Sequence, residues 1–143
     1  METELVQLVF RHLPLPGHAH AFGAAEAAEC AGRQGKFWEM HDVLFSEPGR
    51  LAGGYDVEGA RALGLEPRRF VACLAGEAVD RVRADIVEAR RLGVKGTPTF
   101  FFGRLRADGR VVVARRHAGS LTIRTFDRLV REATMAPAAA GTR

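Results

Sequence analysis

The chain holds two cysteines, Cys30 and Cys73, and five histidines, His12, His18, His20, His41 and His117. The two sulfurs are far apart in the sequence, so they do not make a redox motif of neighbouring cysteines. On a helical wheel Cys30 falls beside Glu26 and Arg33, and Cys73 beside Phe70 and Leu74. Both read as small apolar fillers; a disulfide between them stays open and would need an oxidising compartment. As thiols they are the possible reactive groups, but a thiolate needs a helix N-terminus or a nearby cation. Cys30 sits late in its helix, where the dipole opposes a negative charge. Of the histidines, His18 and His20 lie close together, yet no cysteine or acid completes a tetrahedral set near them. No metal is expected. His41-Asp42 would suit Cys-His catalysis only with a cysteine beside it, and the spacing supplies none. Trp38, Phe37 and Phe45 read as core packing rather than a ligand-lining cluster. No glycine-rich phosphate loop is present, and no cofactor is expected.

A second kind of chemistry belongs to backbone. In Val94-Lys95-Gly96-Thr97-Pro98-Thr99-Phe100-Phe101-Phe102-Gly103, Gly96 frees a loop and Thr97, preceding proline, is pushed to extended geometry. Thr99–Phe102 is β-branched and aromatic, which predicts a strand. Pro98 has no N–H for a ladder and so belongs at the strand's entrance. A trans bond there is the commoner arrangement and a cis bond the other.

These residues need elements to hold them. Leu5–Phe10 predicts a strand, broken by Pro14, Pro16 and Gly17. His18–Arg33 predicts an alanine-rich helix and Lys36–Phe45 a second. Glu47–Gly54, with Gly53-Gly54, reads as loop. Asp56 is placed to cap a short helix ending near Gly64, and Pro67 to open another running to about Ala75. In Glu77–Leu92 the residues Val79, Val82, Ile86, Ala89 and Leu92 recur at helical spacing, and Gly93 stops the helix. Asp108-Gly109 predicts a hairpin turn with Val111–Val113 as return strand. Ser120 is placed to cap a last helix with Phe126, Leu129, Val130 and Ala133 on one face. Residues 136–143 predict a disordered tail after a single domain over 1–135.

The chain has 143 residues, 47% hydrophobic and 27% charged, a net charge of +4 and a pI near 9.8. That suffices for one core. The positive charge is almost all arginine, scattered without aromatic-basic interleaving, so no nucleic-acid partner is expected. No apolar run reaches membrane-spanning length and no signal peptide opens the chain, which predicts a cytoplasmic protein without a membrane partner.

The run around Pro98 resembles the cis-proline loop of thioredoxin-fold proteins. Phe10-Arg11-His12-Leu13-Pro14-Leu15, His18 to Ala31, Gln34-Gly35-Lys36-Phe37-Trp38-Glu39-Met40-His41-Asp42, Leu63-Gly64-Leu65 and Ala89-Arg90-Arg91-Leu92-Gly93-Val94 are similar, in one register, to the DsbA-like branch of that fold. The resemblance implies an α/β thioredoxin-like fold with a helical insertion. It also implies a thiol-disulfide oxidoreductase relative whose Cys-x-x-Cys would lie in a first strand-helix unit. This chain carries no Cys-x-x-Cys, and that first unit is expected to be absent. The chain is then a shortened or non-catalytic member, with no catalytic residue of its own. By the same resemblance Thr97 and Pro98 would bind an extended peptide or protein substrate. Without the first strand, Leu5–Phe10 loses its sheet neighbour: either it pairs directly with the Thr99 strand, or the chain is an incomplete version of a longer enzyme, or, as exposed strand edges recruit other chains, a second copy fills the gap, and this homodimer is the favoured expectation. A non-enzymatic dimeric or peptide-binding module is the alternative. A glutathione-dependent isomerase or transferase relative is the weaker one.

Overall fold

The computed structural model describes residues 6–47, 49 and 57–135. The chain divides into two compact units, Met1–Gly93 and Val94–Arg143.

The first unit is helical. Its elements are α1 (Ala21–Gly32), α2 (Phe37–Ser46), α3 (Val57–Ala62), α4 (Pro67–Ala72), a π-helical turn Cys73–Glu77, and α5 (Val79–Arg91). In α1 the buried face is alanine and cysteine: Ala25, Ala27, Ala28, Cys30 and Ala31. Small residues let neighbouring helices come close, and Met40, Phe70 and Ala78 close the core around them. Gly35 turns the chain out of α1 at φ +74°, and the Lys36 N–H donates back to Ala31 O at 2.9 Å. Pro67 opens α4, whose first amides of Arg68 and Arg69 donate to the Glu66 carboxylate at 2.9 and 2.7 Å. Those two bonds hold the Glu66 carboxyl below its ordinary pKa.

The helix expected to run from Pro67 to about Ala75 instead passes into the π turn. The chain kinks at Gly76, whose φ of +151° suits glycine and few other residues. Two groups at the C-terminal end of α1, Cys30 within it and Arg33 just past it, hold this turn. Cys30 bonds to Cys73 as a disulfide, and Arg33 donates to Glu77 Oε2 at 2.9 Å and to Glu77 O at 2.8 Å. The reading of Cys30 and Cys73 as separate fillers or possible thiols is therefore corrected: they are one covalent link, and the described residues include no free cysteine. Their Cα atoms lie 5.7 Å apart although 43 residues separate them. Constraining a loop of that length removes roughly 4 kcal/mol of freedom from the unfolded chain.

The expected strand over Leu5–Phe10 does not form within the described residues 6–10, which carry no ladder pairing. The sequence has strand propensity there, but a strand exists only with a neighbour to pair with. No hydrogen bond joins the backbone of Val6 to Phe10 to another described residue.

The second unit is a two-stranded antiparallel hairpin, β1 (Thr99–Leu105) and β2 (Val111–Ala118), followed by α6 (Ile123–Met135). Its turn is the one that Asp108-Gly109 predicts: Gly109 has φ +79° and Asp108 Oδ1 accepts from the Arg110 N–H at 3.1 Å. Both strands run longer than propensity alone indicates, because the ladder runs from Thr99↔Ala118 to Leu105↔Val111. A bulge follows Phe102, where the register steps from Arg115 to Val113. A side chain at Gly103 would meet the Val112 carbonyl, so only glycine fits there. Phe102, Leu129 and Ala133 form the core, flanked by Phe100, Phe126 and Val130. Thr122, not Ser120, caps α6: its Oγ1 accepts from the Thr125 N–H at 3.2 Å. Asp56, the Gly53-Gly54 loop and the 136–143 tail lie outside the described residues.

Candidate functional site

In the second unit, the turn into β1 keeps Thr97 and Pro98 exposed, and the Thr97–Pro98 peptide bond is cis. The Thr99 hydroxyl donates to Gly96 O at 2.7 Å, which fixes the turn from inside. The Gly119 N–H donates to Pro98 O at 2.8 Å, so that carbonyl is already engaged by the far end of β2. The Thr97 N–H and carbonyl bond to no other described residue. An exposed residue whose donor and acceptor are both unbonded among the described residues is the local form needed for strand addition.

The first unit holds a polar cluster that the sequence reading did not assemble. It joins His12, Glu29 on α1 and Asp85 on α5. The His12 backbone N–H donates to Asp85 Oδ2 at 2.9 Å, and neutral His12 donates from Nε2 to Glu29 Oε1 at 3.0 Å. His12 and Asp85 are both at least 95% buried. Arg11 Nη1 and Arg81 Nη2 stand 3.5 and 3.4 Å from Asp85 Oδ1, and Arg81 Nε lies 4.0 Å from Glu29 Oε1. Burial lowers the His12 pKa below its ordinary value, although Glu29 and Asp85 both pull it upward.

One ligand-type atom from each of His12, Glu29 and Asp85 lies within 4.8 Å of the others, close enough in principle to share a cation. Two guanidinium groups already balance the two carboxylates, so a dication would add uncompensated charge in a desolvated place. The cluster reads as a tether. It fixes to α1 and α5 the end of a segment that is unpaired among the described residues. One signal was available in the sequence: Asp85 lies three residues after Val82, on the buried side of α5.

The aromatic residues of α2 depart from the core reading. Phe37 packs against the core, but Trp38 is 42% and Phe45 69% exposed. Trp38, His41 and Phe45 follow helical spacing on a face turned from Met40, the buried residue of α2. Phe10 joins this row edge-on, 6.5 Å from Trp38 and 5.2 Å from His41.

The sequence model of the family described as thioredoxin matches residues 1–130. The chain belongs to the thioredoxin family, and its helices and antiparallel hairpin make a mixed α/β fold of that kind. It is 41% identical over 140 residues to the Na(+)/H(+) antiporter NhaA 1 of Salinispora arenicola, covering 96% of this chain and 19% of that protein. It is 39% identical over 130 residues to NhaA 3 of Salinispora tropica, covering 90% and 18% respectively. A third relative, the NhaA antiporter of Herminiimonas arsenicoxydans, is 39% identical over 125 residues, or 84% of this chain and 20% of that protein. The chain thus spans about a fifth of the length of these curated relatives. No solved structure matches. Among the described residues no helix is long and apolar enough to cross a membrane.

Proposed function

We propose that this chain is the scaffold and peptide-docking part of a DsbA-like thiol-disulfide oxidoreductase domain. Thr97 offers its backbone to an extended substrate segment. The sulfurs that such chemistry requires are not supplied here: the two cysteines of the sequence are joined to each other in the helical core. The chain by itself therefore binds without redox turnover. The observation that carries this reading is the exposed Thr97, both of whose backbone groups are unbonded among the described residues, next to a Pro98 carbonyl held by Gly119 at the entrance of β1. Antiport belongs to the named relatives as whole proteins, and no such activity is proposed for this chain.

The test uses S-alkylated insulin B chain as an extended probe. Binding followed by fluorescence anisotropy should survive Thr97→Ala, which keeps the backbone. It should be lost in Thr97→Pro, which removes the N–H. Insulin reduction by dithiothreitol should run no faster with the chain present. Equal binding by both variants, or accelerated reduction, would count against this reading.

A second reading, a non-enzymatic homodimer, is favoured by a different observation. Val6, Leu8 and Val9 are each more than half exposed, on a backbone with no partner among the described residues. Two copies pairing through this segment would satisfy both. A monomer mass in light scattering at micromolar concentration would exclude it.

A further inference from the structure

The Cys30–Cys73 bond differs from a catalytic disulfide in two things that govern exchange, access and surroundings. Thiol-disulfide exchange requires a thiolate to approach a sulfur in line with the bond. Here Cys30 is 1% and Cys73 4% exposed, and the residues packed with them are Ala27, Ala31, Met40, Phe70 and Ala78. Reactive cysteines sit in partly exposed, electropositive surroundings, and this pair has an apolar one. The bond also lies at a mechanical joint. Cys30 on α1 and Arg33 just past its C-terminus stand three residues apart, and both grip the π turn, one at Cys73 and the other at Glu77. The turn contains the kink at Gly76, a glycine whose φ of +151° costs it conformational freedom on folding.

We propose that Cys30–Cys73 is a maturation crosslink: it is installed by disulfide exchange before the helical unit closes, and it is inert to exchange afterwards. The chain is in this sense a substrate of disulfide chemistry. In the open chain, one cysteine thiolate attacks an external disulfide and releases one thiolate of the donor. The other cysteine, as thiolate, then attacks the mixed disulfide and releases the second. The chain loses two electrons and two protons, the donor disulfide is reduced to two thiols, and the Cys30–Cys73 bond forms. Folding then buries both sulfurs and withdraws them from any thiolate.

This rests on different residues from the peptide-docking reading, so either can fail alone. Purified full-length chain is exposed to dithiothreitol with and without urea, quenched with iodoacetamide and weighed by mass spectrometry. The expected result is no alkylation of the folded protein over hours in which the urea-unfolded protein takes two adducts. In a second arm, reduced and unfolded chain is diluted into buffer with or without oxidised glutathione. Only the oxidised sample should regain the full melting temperature, with a deficit on the order of 10 °C in the other. Reduction of the folded protein as fast as the unfolded one would overturn the proposal. So would free thiols in the untreated protein, or equal melting temperatures in the second arm. A Cys30→Ala, Cys73→Ala double variant should melt near the reduced form; should it fail to fold, the alkylation arm still decides.

Discussion

Asp85 accepts the backbone N–H of His12 at 2.9 Å across 73 residues of chain, with both groups buried. This single bond ends the unpaired segment and begins the ordered helical unit. Replacing Asp85 with Ala leaves a buried N–H unsatisfied and removes the anion that faces Arg11 and Arg81. We expect a loss of about 1–3 kcal/mol in urea unfolding. Asp85→Asn keeps an acceptor for the amide and should lose less. Equal losses for the two variants would assign the effect to charge rather than to the amide bond.

His12 makes the same tether sensitive to acid. Its folded pKa is depressed, chiefly by burial, so the folded state binds fewer protons than the unfolded state. The stability this group contributes is present above the unfolded value near 6.5 and declines as pH falls below it, toward the folded pKa. Glu29 and Asp85 from α1 and α5 oppose the shift, while Arg11 adds to it. The urea midpoint should fall between pH 7 and pH 5, and that slope should flatten in His12→Gln. An unchanged slope in the variant would show that other groups carry the acid response.

Among the described residues Phe70 is the largest fully buried side chain, and it belongs to the same core cluster as Cys73. Phe70→Ala should cost about 3–5 kcal/mol, enough to threaten a domain of ordinary stability. Circular dichroism with urea titration measures it directly.

Gly103 makes a sharper case, since no rearrangement of a flexible side chain can make room there. A methyl group would meet the Val112 carbonyl oxygen and, at 2.8 Å, Val111 Cγ1. Gly103→Ala should lower the melting temperature and broaden the amide signals of Phe102, Val112 and Val113. Gly109→Ala, at a φ of +79° but with open space around it, should perturb the turn alone.

Elements whose cause is local could be read directly. Val82, Ala89 and their neighbours gave α5, and Asp108-Gly109 gave the hairpin, because helical periodicity and turn chemistry act within a few residues. The expected strand over Leu5–Phe10 shows the limit: the propensity is there, but pairing is a property of two segments. The disulfide and the tether were not legible for the same reason. Cys30 meets Cys73, and His12 meets Glu29 and Asp85, only after α1, the π turn and α5 have packed. The kink was hidden because Pro67–Glu77 carries ordinary helix formers up to Gly76. Thr97 and Pro98 are legible through their resemblance to a known loop, while the engagement of the Pro98 carbonyl depends on where the far end of β2 packs.

The backbone around His12 divides sharply in its contact with solvent. Amide protons from Val6 to Phe10 should trade with deuterium at nearly the rate of a short free peptide, whereas the His12 amide, closed off by Asp85, should retain its proton far longer. A protease would meet the same frontier, cutting between Val6 and Phe10 and stalling where the carboxylate holds the chain.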